Sequence, residues 1–150
     1  MRVSDKGIDF IKQWEKLALE PYNDGAGYMT IGFGHRIREG EHFKRIDEDQ
    51  ARDLLMGDVE DVEVKLTDCL DRDVSQEQYD SLASLCFNIG NHAFERSTLL
   101  LKLNAGRPFK ECAPQFDRWV FAGSKKMAGL IKRRASERKL FETGEYDAGH

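Results

Sequence analysis

Pro21 constrains this chain more than any other residue. Upstream of it, Ile8, Ile11, Trp14 and Leu17 recur at three-residue steps, close to the helical period, and Ser4 stands where an N-cap belongs. Asp5 and Asp9 suit the start of such a helix, and Lys12 and Lys16 its end. Proline lacks an N–H and has a fixed φ, so the helix cannot pass it, and Leu19-Glu20-Pro21 are expected to turn the chain out. A different structure must follow at once. Tyr22-Asn23-Asp24-Gly25-Ala26-Gly27-Tyr28 has Asp-Gly at its centre, which is a hairpin signal. Tyr28 to Phe33 has strand-like content, and Gly32 and Gly34 flank Phe33, as expected where a backbone bends or a ligand approaches closely.

This arrangement sets Glu15 near a helix end and Asp24 in a facing hairpin, with the hydroxyl of Thr30 six positions further on. Glu15 directly follows Trp14, so it lies about 100° around the helix from the apolar stripe, at the rim of a core. Singly, each residue has an ordinary use: a solvated glutamate, an aspartate for the turn, a threonine for its β propensity, and His35 as a structural hydrogen-bonding residue. Together they supply what glycoside cleavage needs, a carboxylic acid to protonate the leaving oxygen and a carboxylate opposite it. Glu15 is the candidate general acid and needs a raised pKa, which burial behind Trp14 or Tyr22 can provide. Asp24 is the candidate carboxylate, and Thr30 can orient water. Attack by that water inverts the sugar, whereas attack by Asp24 retains its configuration, and the carboxyl separation decides between them. Phe33, Gly34 and Asn88 are candidate cleft-lining residues, Phe87 is expected in the core, and Tyr22 and Tyr28 can stack on sugars or pack inward.

The run Glu15-x8-Asp24-x5-Thr30, followed by Ile31-Gly32-Phe33-Gly34-His35, resembles the catalytic signature of phage-type lysozymes, the endolysin muramidases. The resemblance continues through Phe87-Asn88-Ile89-Gly90, Ser97-Thr98-Leu99-Leu100, Arg118-Trp119, Arg133-Arg134 and Phe141-x-Thr143-Gly144, almost the whole chain. It implies a lysozyme-like α+β fold, mainly α. A small N-terminal antiparallel sheet lobe, roughly 15–60, would be joined by a long helix to a helical lobe of roughly 61–150 plus the N-terminal helix. It also implies hydrolysis of β-1,4 bonds between N-acetylmuramic acid and N-acetylglucosamine in peptidoglycan, with inversion and lysis of the host cell. Arg133 falls where the family has an arginine that pairs with the catalytic glutamate. A permanent cation there would pull the Glu15 pKa down, against burial. The family's glutamine and phenylalanine on the far cleft lip fall near His92 to Phe94, where this sequence departs from the pattern. No cofactor or metal is implied. The implied partner is peptidoglycan, acted on from the periplasm by a protein made in the host cytoplasm and released by membrane permeabilisation. A monomer is expected.

The charge is uneven. Six basic and five acidic residues lie before Glu39, five and fifteen between Glu39 and Asp80, and twelve and seven beyond. An acidic total of −4 disfavours non-specific attraction to nucleic acid, and the basic cluster of residues 125–139 comes with no nucleic-acid-binding motif. The longest stretch free of charged side chains, Ser81 to Phe94, is too short and too polar to span a bilayer, so stable membrane insertion is not expected. With Arg2, Asp5, Lys6, Asp9 and Lys12 at its start, an apolar secretory leader is not expected in this stretch. Cys69, Cys86 and Cys112 have no metal-ligand or redox spacing and read as free thiols.

Further along, Asp47 with Gln50 and Ser75 with Gln78 form capping boxes. They open a helix at roughly 48–67 with an acidic outer face, and a buried helix that ends at Gly90. Ser97 or Thr98 starts a short helix to Asn104. Pro108 suits a first turn, and Pro114 predicts a break in the helix carrying Ala113, Phe116, Trp119 and Val120. Ala122-Gly123-Ser124 reads as a turn. A last helix, Gly129 to Phe141, is expected to turn Leu130, Ala135, Leu140 and Phe141 inward and to end at Gly144. Two other readings compete: a lytic transglycosylase, which uses one acid and forms an anhydro product, and a catalytically silent wall-binding module.

Overall fold

A computed structural model describes residues 1–147, and the last three residues of the expected 1–150 domain lie outside the described residues. Helix α1 spans Asp5–Gln13, and its N-cap is Ser4, whose Oγ accepts the Gly7 N–H at 3.0 Å. The helix stops at Trp14, well before Pro21, so Leu17 does not extend its apolar stripe. Instead Leu17–Asn23 forms strand β1, which pairs antiparallel with β2 (Met29–Phe33), and β2 pairs with β3 (His35–Arg36). The expectation that Leu19-Glu20-Pro21 turn the chain out is thus corrected. Tertiary pairing overrides the helical period, and Pro21 sits in an edge strand where its missing N–H is tolerated. The register slips between Ala18 and Tyr22, the interval that contains Pro21, and Tyr22 then faces Thr30.

Helix α2 (Glu48–Cys69) opens with the expected reciprocal capping box between Asp47 and Gln50. Two apolar clusters meet along it. Ala51, Leu55 and Val59 pack with Ile11, Ile31, Phe33 and Ile46 under the sheet. Val62 and Leu66 belong to a second cluster that contains Leu82, Leu85, Phe94, Leu99, Phe116 and Phe141. One helix therefore joins a sheet-side core to a helical core through successive turns of the same face.

Helix α3 (Gln76–Ile89) has the Ser75–Gln78 capping box and is buried from Tyr79 to Cys86. Its Asp80 carboxylate is fully buried and ties both ends of the chain to α3. It accepts from Ser4 N (3.1 Å), Ser4 Oγ, Gln76 Nε2 (2.8 Å) and the Tyr146 hydroxyl (2.6 Å).

Helices α4 (Asn91–Glu95), which the sequence reading did not anticipate, and α5 (Thr98–Asn104), capped by Ser97, come next. Helix α6 (Phe109–Cys112) has Pro108 as its N-cap and tightens at Pro114 into a 3-10 turn, Ala113–Arg118. The turn at Gly123 closes a second, two-stranded hairpin of β4 (Phe121–Ala122) and β5 (Lys125–Lys126), where only a turn was expected.

Helix α7 (Ala128–Thr143) ends on Gly144, whose φ of 78° is the left-handed C-cap. Leu140 and Phe141 face inward as expected, but Ala135 is exposed. The buried positions of α7 also include Arg133, Arg134, Ser136 and Glu137. Much of this helix's inner face is polar, and that face lies behind the cleft.

Candidate active site

A cleft of about 540 Å³ lies between the sheet and α3. Glu15 enters it from the two-residue turn after α1, where the Trp14 and Glu15 N–H groups still donate to Ile11 O and Lys12 O, both at 3.1 Å. That leaves the side chain 18% exposed, off the helix axis and against Gly34. Gly34 has a φ of 75°, and a Cβ built on it would stand 3.0 Å from Glu15 Oε2 and 3.1 Å from Cδ. Glycine is required there twice over, for the left-handed backbone and for the carboxyl packed on it.

Burial pushes the Glu15 carboxyl above the ordinary glutamate range, and Arg133 opposes the push through its charge and its hydrogen bond. Arg133 Nη1 donates to Glu15 Oε1 at a long 3.4 Å. Its other groups are committed elsewhere: Nε donates to Glu137 Oε2 at 3.2 Å and Nη2 to Ser84 O at 3.2 Å. The tension between cation and burial therefore resolves in favour of burial.

Asp24 lines the same cleft from the hairpin and has the opposite environment. Its Oδ1 accepts the N–H groups of Ala26 at 2.8 Å and Tyr28 at 3.1 Å. The Ala26 bond, with the Tyr28 bond and the nearby Arg36, outweighs its small desolvation and holds the exposed carboxyl below the ordinary aspartate range. One carboxyl is thus held toward the acid form and the other as a carboxylate, the division of labour that acid–base pairs require. Thr30, opposite Tyr22 in the sheet, is almost fully buried. It lines the cleft with Oγ1 3.4 Å from Tyr28 O, which leaves its oxygen lone pairs to accept from water.

Glu15, Asp24, Thr30, Gly34 and Asn88 all line this cleft, as do Tyr22 and Tyr28. Arg133 meets Glu15 from behind. Phe33 does not reach the cleft: it is buried in the sheet-side core with the Lys12 ammonium 5.1 Å from its ring centre, which corrects its assignment as a lining residue. His35 is also buried away from the cleft. Its Nδ1 lies 2.8 Å from Asp58 Oδ2 and its Nε2 3.0 Å from Glu41 Oε1, so it ties β3 to α2 and to the loop after β3. Phe87, expected in the core, lines the cleft as well as packing on both clusters. On the lip near His92 to Phe94, Phe94 is fully buried, and Ile89, Gly90 and Asn91 line the cleft instead.

The sequence reading missed Arg36, Arg38, Asp58 and Asp61 on the cleft wall, where Arg36 stacks on Tyr28 at 4.0 Å and Arg38 pairs with Asp61 at 2.7 Å. It also missed Glu137, and it named Arg134 only as part of the Arg133-Arg134 run without its pairing to Glu137. Glutamate at three and four positions after two arginines is a helical pairing signal that could have revealed them. Among the described residues no helix is long and apolar enough to cross a membrane, and no group of three or more His, Cys, Asp and Glu could hold a metal ion.

The phage lysozyme family profile matches residues 12–137. The chain is 40% identical to an endolysin of Bacillus phage B103 over 147 residues, which is 97% of this chain but only 56% of that protein's length. It is 37% identical to an endolysin of Salmonella phage P22, over 94% of this chain and 98% of that one. Among solved structures it is similar to an endolysin from Escherichia coli O157:H7 phage FAHEc1, with a TM-score of 0.85, 34% identity and coverage of 98% and 97%.

Proposed function

The chain belongs to the phage lysozyme family, and from that premise we propose that it is an endolysin-type muramidase that hydrolyses β-1,4 bonds between N-acetylmuramic acid and N-acetylglucosamine in bacterial peptidoglycan. What carries the reading is the contrast between the two carboxyl groups in one cleft, Glu15 pushed toward its acid form by burial and Asp24 held ionised by backbone amides. In this reading Glu15 protonates the leaving glycosidic oxygen as the bond to the anomeric carbon breaks. Asp24 stabilises the positive charge that develops on the sugar ring and takes the proton of the attacking water. Thr30 orients that water, so the product is an inverted, reducing muramic acid end. Gly34 keeps Glu15 in reach, and Asn88, Tyr22 and Tyr28 contact the glycan.

We read the chain as one catalytic domain, with a sheet lobe of roughly 15–60 and a helical lobe of roughly 61–150 plus the N-terminal helix, working as a monomer on the cell wall without binding nucleic acid. The test is mass analysis of fragments released from purified peptidoglycan by the wild type, Glu15→Gln and Asp24→Asn. Hydrated muropeptides with reducing muramic acid ends are expected from the wild type, and near-total loss from both folded variants. Anhydro ends, or full activity in either variant, would overturn the reading.

A further inference from the structure

Behind Glu15 lies a polar cluster that the two-carboxylate chemistry does not itself call for. Glu137 is completely buried, Arg134 is 1% exposed and Arg133 4%. Glu137 Oε2 accepts from Arg133 Nε at 3.2 Å, Arg134 Nη2 at 3.3 Å and Ser84 Oγ at 2.5 Å, and its Oε1 pairs with Arg134 Nε at 2.7 Å. Arg134 is further held by Asn88 Oδ1 at 2.8 Å and Trp119 O at 3.4 Å. Burying two guanidinium groups and a carboxylate is costly, and a packed apolar face of the same volume would stabilise the helix as well or better. The arrangement therefore needs another reason.

We infer that Glu137 is a positioning residue for Glu15: it fixes Arg133 from behind and takes up enough of its charge that Glu15 can carry a proton. This inference rests on the reading of Glu15 as the general acid. The geometry supplies the reason. Arg133 spends Nε on Glu137 and Nη2 on Ser84, which leaves one long contact, at 3.4 Å, for Glu15. With Glu137 in place, the group formed by Arg133, Arg134 and Glu137 presents one net positive charge to Glu15; without it, two.

The other titratable groups lining the cleft with Glu15 are Tyr22, Asp24, Tyr28, Arg36, Arg38, Asp58, Asp61 and Cys86, with His35 bonded to Asp58 behind them, and all are common to the variants compared below. Tyr22 on β1 is pushed up by burial and by the charges of Glu15 and Asp24. The Cys86 thiol on α3 is pushed up to about 12 by burial. Asp24 in the hairpin stays a carboxylate. The charge behind Glu15 is what sets its proton affinity beyond burial itself.

The test follows the 13C-labelled carboxyl of Glu15, assigned by its loss in Glu15→Gln, alongside the pH profile of peptidoglycan hydrolysis. Glu137→Gln leaves a cation uncompensated and should move both the Glu15 titration and the alkaline limb of activity down by about one pH unit. Arg134→Gln removes a cation and should move both upward, and the double variant should return them toward the wild-type position. If Glu137→Gln does not fold, the upward shift in Arg134→Gln decides. A Glu15 titration that stays put in the folded variants, with only stability lost, would overturn the inference and leave Glu137 a packing residue. A titration that moves while the activity limb does not would uphold the coupling and instead remove Glu15 from the role of general acid.

Discussion

Replacing Gly34 by alanine tests how tightly the fold holds its acid. Two effects are built into the substitution. A φ of 75° costs a residue with a Cβ about 1 kcal/mol, which for a chain of this size lowers Tm by about 2–4 °C. The new methyl group would also stand 3.0 Å from Glu15 Oε2 and 3.3 Å from Oε1. Ordinary carbon contacts begin at about 3.5 Å, so the carboxyl must retreat by about half an ångström. A misplacement of about 1 Å costs about a hundredfold in rate, so about a tenfold loss is expected. Gly106→Ala is the matched control. Its φ is 73°, nearly the same, but nothing lies within 4 Å of the added Cβ, and it is not part of the cleft. Both variants should lose similar thermal stability, measured by circular dichroism, while only Gly34→Ala loses turnover on purified peptidoglycan. Equal activity in the two variants would refute the claim that Gly34 is kept for contact with Glu15.

Two further outcomes follow from buried groups. Burial alone would lower the His35 pKa, but its bonds to Glu41 and Asp58 outweigh that and raise it. The stability His35 contributes is therefore fully present below its unfolded value of about 6.5 and is lost as pH rises through the higher folded value. In urea titrations, the gap between the wild type and His35→Gln should shrink as pH is raised from about 6 toward 9, and a constant gap would show that the ring is held neutral. The Cys86 thiol, buried and pushed up to about 12, carries on the order of a thousandfold less thiolate than an ordinary thiol. A disulfide reagent at neutral pH should therefore modify half-buried Cys69 first and reach Cys86 only on unfolding, and equal rates in the native protein would contradict its packing.

Much of the scaffold was legible from local signals. The capping boxes at Asp47 and Ser75, the glycine stop at Gly144 and the break at Pro114 are decided within one or two turns of chain, where side-chain and backbone hydrogen bonds act without help from distant residues. Leu17 was misread because a three-residue period says nothing about a strand partner. Its partner Phe33 stands sixteen positions away, across a hairpin. Phe33 was misassigned for a related reason. It alternates with glycines in a strand, and which side of the sheet faces the core is set by where α2 docks.

The sequence alone singled out Glu15, Asp24 and Thr30 together, from their spacing around a helix end and a hairpin turn and from its likeness to the phage lysozyme signature. Which carboxyl would hold a proton was decided only by tertiary structure. A carboxyl's proton affinity depends on its exposure and on the charges within a few ångströms of it. For Glu15 those are set by Gly34 and by Arg133, which lies more than a hundred positions away and is itself held by Glu137 and Ser84. Asp24 is held ionised by amides two and four positions along its own turn, a local effect, whereas only long-range packing can bury Glu15 and set the charge beside it.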